Sequence, residues 1–394
     1  MPGICHYPNY QQKKGALMYI TGIGKTKFGI LRQGLPELCY EAMQKALKDA
    51  NASIEDIEAI FVSNFLAGSA QSQLHINSLI ASLLPGIDIP IIRIETACAS
   101  SGAALHQAII SLSKYKNVMV LGAEKMSGVG MKEMTSCIAE AGDRMLDQKE
   151  GVIFPASYAL IAQQHMLRYG TTVDDLALIS LKAHKNANLN ELAHFAYKTV
   201  TRDMINNSPI VSTPLRLFDC SPISDGAAAL IISREKKDGR SIKILASALR
   251  TGTISLAQRK DITSFPAAKA AAEEAYAQAG MTPDKIDIAE VHDCFTIAEL
   301  VAIEDLGFCA LGESKGWIRQ GKTSLTGQLP INTGGGLKAN GHPIGATGAS
   351  QVCEIVTQLR REAGARQVKK ADIGLTHNVG GVGGTVAVHI FRRE

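Results

Sequence analysis

The sequence carries no CxxC pair, no uninterrupted apolar run long enough to cross a bilayer and no clear excess of either charge. The eight cysteines are scattered without the Cys/His spacing of a zinc site, so no metal is expected and a reducing compartment fits best. The most apolar stretch, Leu79 to Ile94, is interrupted by Pro85, Gly86, Asp88 and Pro90, and the opening MPGICHYPNYQQKKG has no apolar signal core. Neither a membrane span nor a signal peptide is expected, and the cytoplasm is the expected location. With 41 Lys and Arg against 37 Asp and Glu, the net charge of +4 lacks the basic surplus of a nucleic-acid-binding protein. GIGKT at 22–26 has Tyr19 where a phosphate-binding loop requires glycine, and GGVGGT at 380–385 lacks the strand-then-helix setting of a dinucleotide site.

What is present is enough chain for two domain-sized halves: 394 residues, 46% of them hydrophobic. The helical spacing of Leu38, Ala42, Ala46 and Ala50, followed by a strand over 57–62, recurs further on. A shift of 229 residues carries Ala46 onto Ala275, Ile57 onto Ile286 and Val62 onto Val291. A small-residue helix start follows each copy, ACASSGAAL at 97 and GHPIGATGAS at 341, and each half then adds two apolar strands. The pattern predicts two duplicated α/β halves: 18–240, holding an insertion at about 124–219, and 241–394, after an extension over 1–17. The insertion is poor in strand-like runs, contains a helical stretch over 156–169, and reads as a lid or loop region over the active face.

Four segments carry side chains suited to chemistry. Cys98, in RIETACASSGAA, sits between an apolar strand and a helix start, where the helix dipole favours thiolate; the alternative is a small buried hydrophobe. His342, in GGLKANGHPIGATGAS, is flanked by glycines that admit a ligand closely, so it suits activation of a thiol or an oxyanion contact; a turn histidine satisfied by backbone is the alternative. In VHDCF, His292 and Cys294 stand at a strand end and suit proton transfer, against a core cysteine or a metal ligand pair. THNVGGVGGT offers backbone N–H donors at Gly380 and Gly381, or a tight turn.

Together these motifs resemble the thiolase superfamily, in order, from about Met18 to the last residues. HDCF at 292–295, DCSPISDGAAA at 219–229 and HNVGG near the end resemble the sterol-carrier-protein-2 and archaeal acetyl-CoA acetyltransferase branch. Where ordinary thiolases carry their acid/base cysteine this chain has Asn378, so the resemblance moves that role to Cys294. It implies a thiolase fold of five αβαβα layers, homodimers or homotetramers, and acyl-CoA and CoA as substrates with no separate cofactor. Cys98 would be acylated, His342 and His292 would hold an enolate oxygen, and the N–H groups of Cys98 and Gly380 would hold the tetrahedral oxyanion. Ser221 is the implied pantetheine contact. Lys182, His184 and Lys185 are candidates for the CoA phosphates, with a solvated helix face as the alternative. The activity implied is acetyl-CoA C-acetyltransferase, against a degradative 3-ketoacyl-CoA thiolase for longer or branched chains, a condensing ketosynthase, or a non-catalytic acyl-CoA-binding scaffold. A complex with 3-hydroxy-3-methylglutaryl-CoA synthase and a small zinc-ribbon/OB-fold protein is a further implication of that branch.

Overall fold

A computed structural model describes residues 17–394; the extension expected over 1–17 lies, but for Leu17, outside the described residues. The main sheet is built from β1 (Tyr19–Lys25), β2 (Ala59–Ser63), β3 (Ile91–Ile94), β4 (Asn117–Glu124), β5 (Gly226–Ser233), β6 (Ile242–Thr251), β7 (Ile288–Glu290), β8 (Ile373–Gly380) and β9 (Thr385–Arg392). Among the described residues they pair in the order β3-β2-β4-β5-β1-β6-β9-β8-β7. Read inward from each edge, β2-β4-β5-β1 and β7-β8-β9-β6 are the same topology, and they meet where Tyr19 faces Lys243 and Ile20 faces Ile242. The repeat extends to detail: a single 3-10 turn precedes each copy of the first parallel strand, at Ile54–Asp56 and Pro283–Lys285.

The helices that matter are α1 (Leu35–Asp49), α2 (Ser100–Ser111), α3 (Phe154–Tyr169), α4 (Val173–Asn188), α5 (Pro266–Ala279), α6 (Thr296–Asp305) and α7 (Thr347–Leu359). Both α1 and α5 open with proline in the first turn, where its missing N–H costs nothing, and α5 stops at Gly280 in a left-handed conformation. Strand alternation then sorts the layers. Val118 and Val120 of β4 face a core shared with Leu105 and Ala108 of α2 and Val352 and Val356 of α7, while Met119 and Leu121 face α1. On the second half, Val388 and Ile390 of β9 turn outward to Ala271 and Ala275 of α5. The order is therefore α1, first half-sheet, α2 with α7, second half-sheet, α5. Away from the edge strand β3, where Ile92 is exposed, the strands are largely covered on both faces, and each fully buried Val, Leu or Ile contributes about 1.5–3 kcal/mol through its lost water contact.

The insertion differs from a loop. Leu176, Ile179, Ala183 and Ala187 of α4 are buried at helical spacing, α3 packs against α6 and sets Tyr158 against Phe265 and Phe295, and only a short hairpin at 210–216 is extended. Apolar spacing continues through 154–188, so the segment folds as helices on the second half.

Candidate active site

The nucleophile candidate stands on a sharp elbow. Ala97, just before Cys98, has φ of 52°, a left-handed value costing about 1–3 kcal/mol for a residue with a Cβ. The surroundings hold it there: Thr96 N–H donates to Ser100 Oγ (2.9 Å), Ala97 N–H to Glu95 Oε1 (2.5 Å), and the Ser100 hydroxyl to Ala97 O (2.5 Å). α2 then starts at Ser100, leaving Cys98 half-buried against Leu66, Met126 and Ile344. A lowered thiol pKa was the expectation from the helix start. The structure reverses it: burial pushes the Cys98 thiol up to about 12, with the Glu124 carboxylate adding to the rise and a backbone hydrogen bond from Gly381 offsetting part of it. The resting thiol is protonated and needs a base at the moment of attack.

That base is close. One ligand-capable atom each of Cys98, His292 and His342 lies within 4.8 Å of the other two, and the two imidazole rings stand edge to face at 5.3 Å. Both are buried and neutral: burial takes His342 down to about 3, and burial, then His342 and His377, hold His292 well below the usual histidine range. His342 Nδ1 lies 2.7 Å from Thr347 Oγ1, whose own hydrogen goes to Pro343 O (3.1 Å). Nδ1 therefore carries the ring proton, and Nε2 offers a lone pair.

Cys294 lies beyond β7, its carbonyl accepting from Ser221 N–H at 2.9 Å. Its thiol is raised well above the ordinary range by burial and then by Cys98, with the Tyr158 hydroxyl pulling the other way. Tyr158 comes from α3, stacks on Phe295 (4.6 Å between centroids) and donates to Gly381 O at 3.0 Å. Backbone at Gly381 hydrogen-bonds the Cys98 sulfur, and its neighbour Gly380 closes β8 opposite Thr385.

Comparison with known proteins follows the same plan. Residues 18–236 match "Thiolase, N-terminal domain" and residues 248–393 match "Thiolase C-terminal domain-like". The chain belongs to the thiolase family. It is 46% identical over 382 residues to an acetyl-CoA acetyltransferase of Methanothermobacter thermautotrophicus, covering 95% of this chain and 99% of that protein. Human sterol carrier protein 2 is 34% identical, covering 95% of this chain and 72% of its own length. Among solved structures, the "Ltp2-ChsH2(DUF35) aldolase" superposes with a TM-score of 0.82 at 25% identity, over 95% of this chain and 97% of that one.

Within this thiolase, the residues expected to meet the CoA phosphates separate. His184 is a correction: it points inward between Phe195 and Phe218, both ring nitrogens lack partners among the described residues, and burial, then Lys338, lower it to about 3, so it is neither a cation nor part of a solvated face. The Lys182 ammonium pairs with Glu299, whose other oxygen accepts from Asn332 Nδ2 (3.1 Å); Asn332 Oδ1 in turn accepts from Val291 N–H (2.8 Å) beneath HDCF. Lys182 and Lys185 both line a cavity of about 330 Å³ with Leu178, Leu181 and Leu189, Lys185 being the exposed one of the two.

Four residues outside the sequence-based set shape the site: Thr347, Tyr158, Glu124 and Asn378. Glu124, at the end of β4, accepts from the N–H groups of Phe65, Leu66 and Gly345 and so ties the GHPIG turn to the first half. An acid closing an otherwise apolar strand was the available signal. Asn378, noted in the sequence as unable to move protons, donates to Cys98 O at 2.9 Å and accepts from Gly102 N–H at 3.1 Å. The room for its amide comes from glycine: a Cβ on Gly102 would stand 2.9 Å from Asn378 Oδ1.

Proposed function

We propose that this thiolase is an acetyl-CoA C-acetyltransferase, converting two acetyl-CoA to acetoacetyl-CoA and CoA, reversibly. The observation that carries the reading is the closeness of the Cys98 sulfur to two neutral imidazoles. His342 Nε2 takes the Cys98 proton as sulfur attacks the thioester carbonyl, and the N–H groups of Cys98 and Gly381 hold the oxyanion. The tetrahedral adduct collapses to acetyl-Cys98 and CoA thiolate, which takes its proton from Cys294. Cys294 thiolate now faces a His342 imidazolium, and its raised pKa makes it a strong base for the methyl proton of a second acetyl-CoA. The enolate oxygen is held by His292 and the imidazolium; its carbon attacks acetyl-Cys98, and the departing Cys98 recovers its proton from His342. Each oxyanion donor is worth about 3 kcal/mol of barrier.

The relatives support the substrate class, and Ser221, bonded to the Cys294 carbonyl, is the pantetheine contact in this reading. No cofactor beyond CoA is required. Division into the 18–240 and 241–394 halves, a homodimer or homotetramer of the whole chain, a cytoplasmic location and a hetero-complex belong to the same reading; the neighbour whose name pairs Ltp2 with DUF35 supports the last. No helix among the described residues is long and apolar enough to cross a membrane. The test is incubation with radiolabelled acetyl-CoA, followed by peptide mapping and thiolysis of a 3-ketoacyl-CoA chain-length series. The expected result is label on Cys98 and a preference for acetoacetyl-CoA. Label elsewhere, or faster thiolysis of longer chains, would refute it.

A further inference from the structure

The amide of Asn378 is held between two backbone groups whose hydrogen-bonding roles cannot change. Gly102 N–H only donates, so the atom 3.1 Å from it is the carbonyl oxygen; Cys98 C=O only accepts, so the atom 2.9 Å from it is the amide nitrogen. A flipped amide would set N–H against N–H and oxygen against oxygen. The second hydrogen of that nitrogen points at His292 Nδ1, 3.3 Å away. His292 Nδ1 must then hold a lone pair, and the proton of this neutral ring sits on Nε2. That atom is buried and has no partner among the described residues. The neighbouring His342 has the opposite arrangement, because the Thr347 hydroxyl spends its hydrogen on Pro343 O.

We infer that Asn378 is a positioning residue that locks His292 in the Nε2–H tautomer, so that the two imidazoles meeting Cys98 are a fixed donor and a fixed base. A second consequence concerns metals. Cys98, His292 and His342 place one sulfur and two nitrogens within 4.8 Å, the donor set of a soft divalent cation. Where His292 meets that cluster through its buried, unpartnered Nε2, the proton on that nitrogen bars ligation, so the same lock withholds the third ligand and protects the thiol from capture by zinc. The tautomer stands on hydrogen-bond geometry alone; its use for an enolate oxygen rests on the thiolase reading above.

Two measurements test this. In resting protein labelled with 15N-histidine, long-range proton–nitrogen correlations should show His292 with a protonated Nε2 and a pyridine-type Nδ1, and His342 the reverse, each assigned by its loss in His292→Gln or His342→Gln. A protonated Nδ1 on His292 would overturn the inference whatever the enzyme catalyses. Conversely, the stated tautomers in a protein that failed to form acetoacetyl-CoA would sink the functional reading and leave this one intact. The second measurement is Co2+ titration of wild type and Asn378→Asp. A carboxylate accepts from Nδ1–H and turns the Nε2 lone pair toward the cluster, the usual carboxylate–histidine–metal arrangement. Asn378→Asp should bind Co2+ about 10–100-fold more tightly, with a thiolate-to-cobalt absorption band that His292→Gln removes. Equal affinities in a folded variant would overturn the inference; should that variant fail to fold, the wild-type nitrogen spectrum decides.

Discussion

Thr347→Val isolates the support of His342. Valine keeps the shape of threonine at the first position of α7 while removing the oxygen that His342 Nδ1–H meets at 2.7 Å. A buried donor left without an acceptor costs about 1–3 kcal/mol. The ring escapes that cost by moving its proton to Nε2, the nitrogen assigned above as the base for Cys98, and is then no longer a base. Taking about 2 kcal/mol as the penalty for holding the reactive tautomer, acylation slows by about 30-fold. The assay is rapid-quench acetylation of Cys98 by acetyl-CoA, with the melting temperature measured in parallel. Thr347→Ser restores the oxygen and should recover most of the rate. An unchanged acetylation rate in a folded Thr347→Val enzyme, or a loss that serine does not repair, would refute the reasoning.

Cys294→Ala should still acetylate Cys98 from acetyl-CoA, but neither exchange the methyl protons with deuterated water nor condense; wild-type exchange in the mutant would assign the base elsewhere. Because burial raises the Cys98 thiol to about 12, its thiolate fraction grows tenfold per pH unit, so alkylation by iodoacetamide should climb steadily from about pH 7 to 10 without the plateau of a free cysteine near 8.5. A plateau below pH 9 would show an activated thiolate instead. Lys182→Met strands Glu299 in the interior and should destabilise the fold by about 3–5 kcal/mol, read by urea unfolding. A folded, fully stable Lys182→Met with a raised KM for CoA would assign Lys182 to the phosphates instead.

How much of this was legible beforehand depended on the range of the interaction. Helix and strand periods, the duplication and the glycine-flanked turns around Cys98 and His342 are local patterns, set by backbone geometry within a few residues, and a linear reading recovers them. The shift between the halves even carries one 3-10 turn onto the other. Burial and charge environment are decided by residues far apart in the chain. Asn378 meets Cys98 across 280 positions, Lys182 meets Glu299 across 117, and His342 reaches the Cys98 elbow only because α2 and α7 share the central layer. Hence the chain by itself determined which side chains were available for acyl transfer. Only the folded protein decided that the thiol rests protonated, that His184 is neutral, and which nitrogen of each imidazole holds its proton, since each of these follows from desolvation or from a hydrogen-bond partner supplied by another layer.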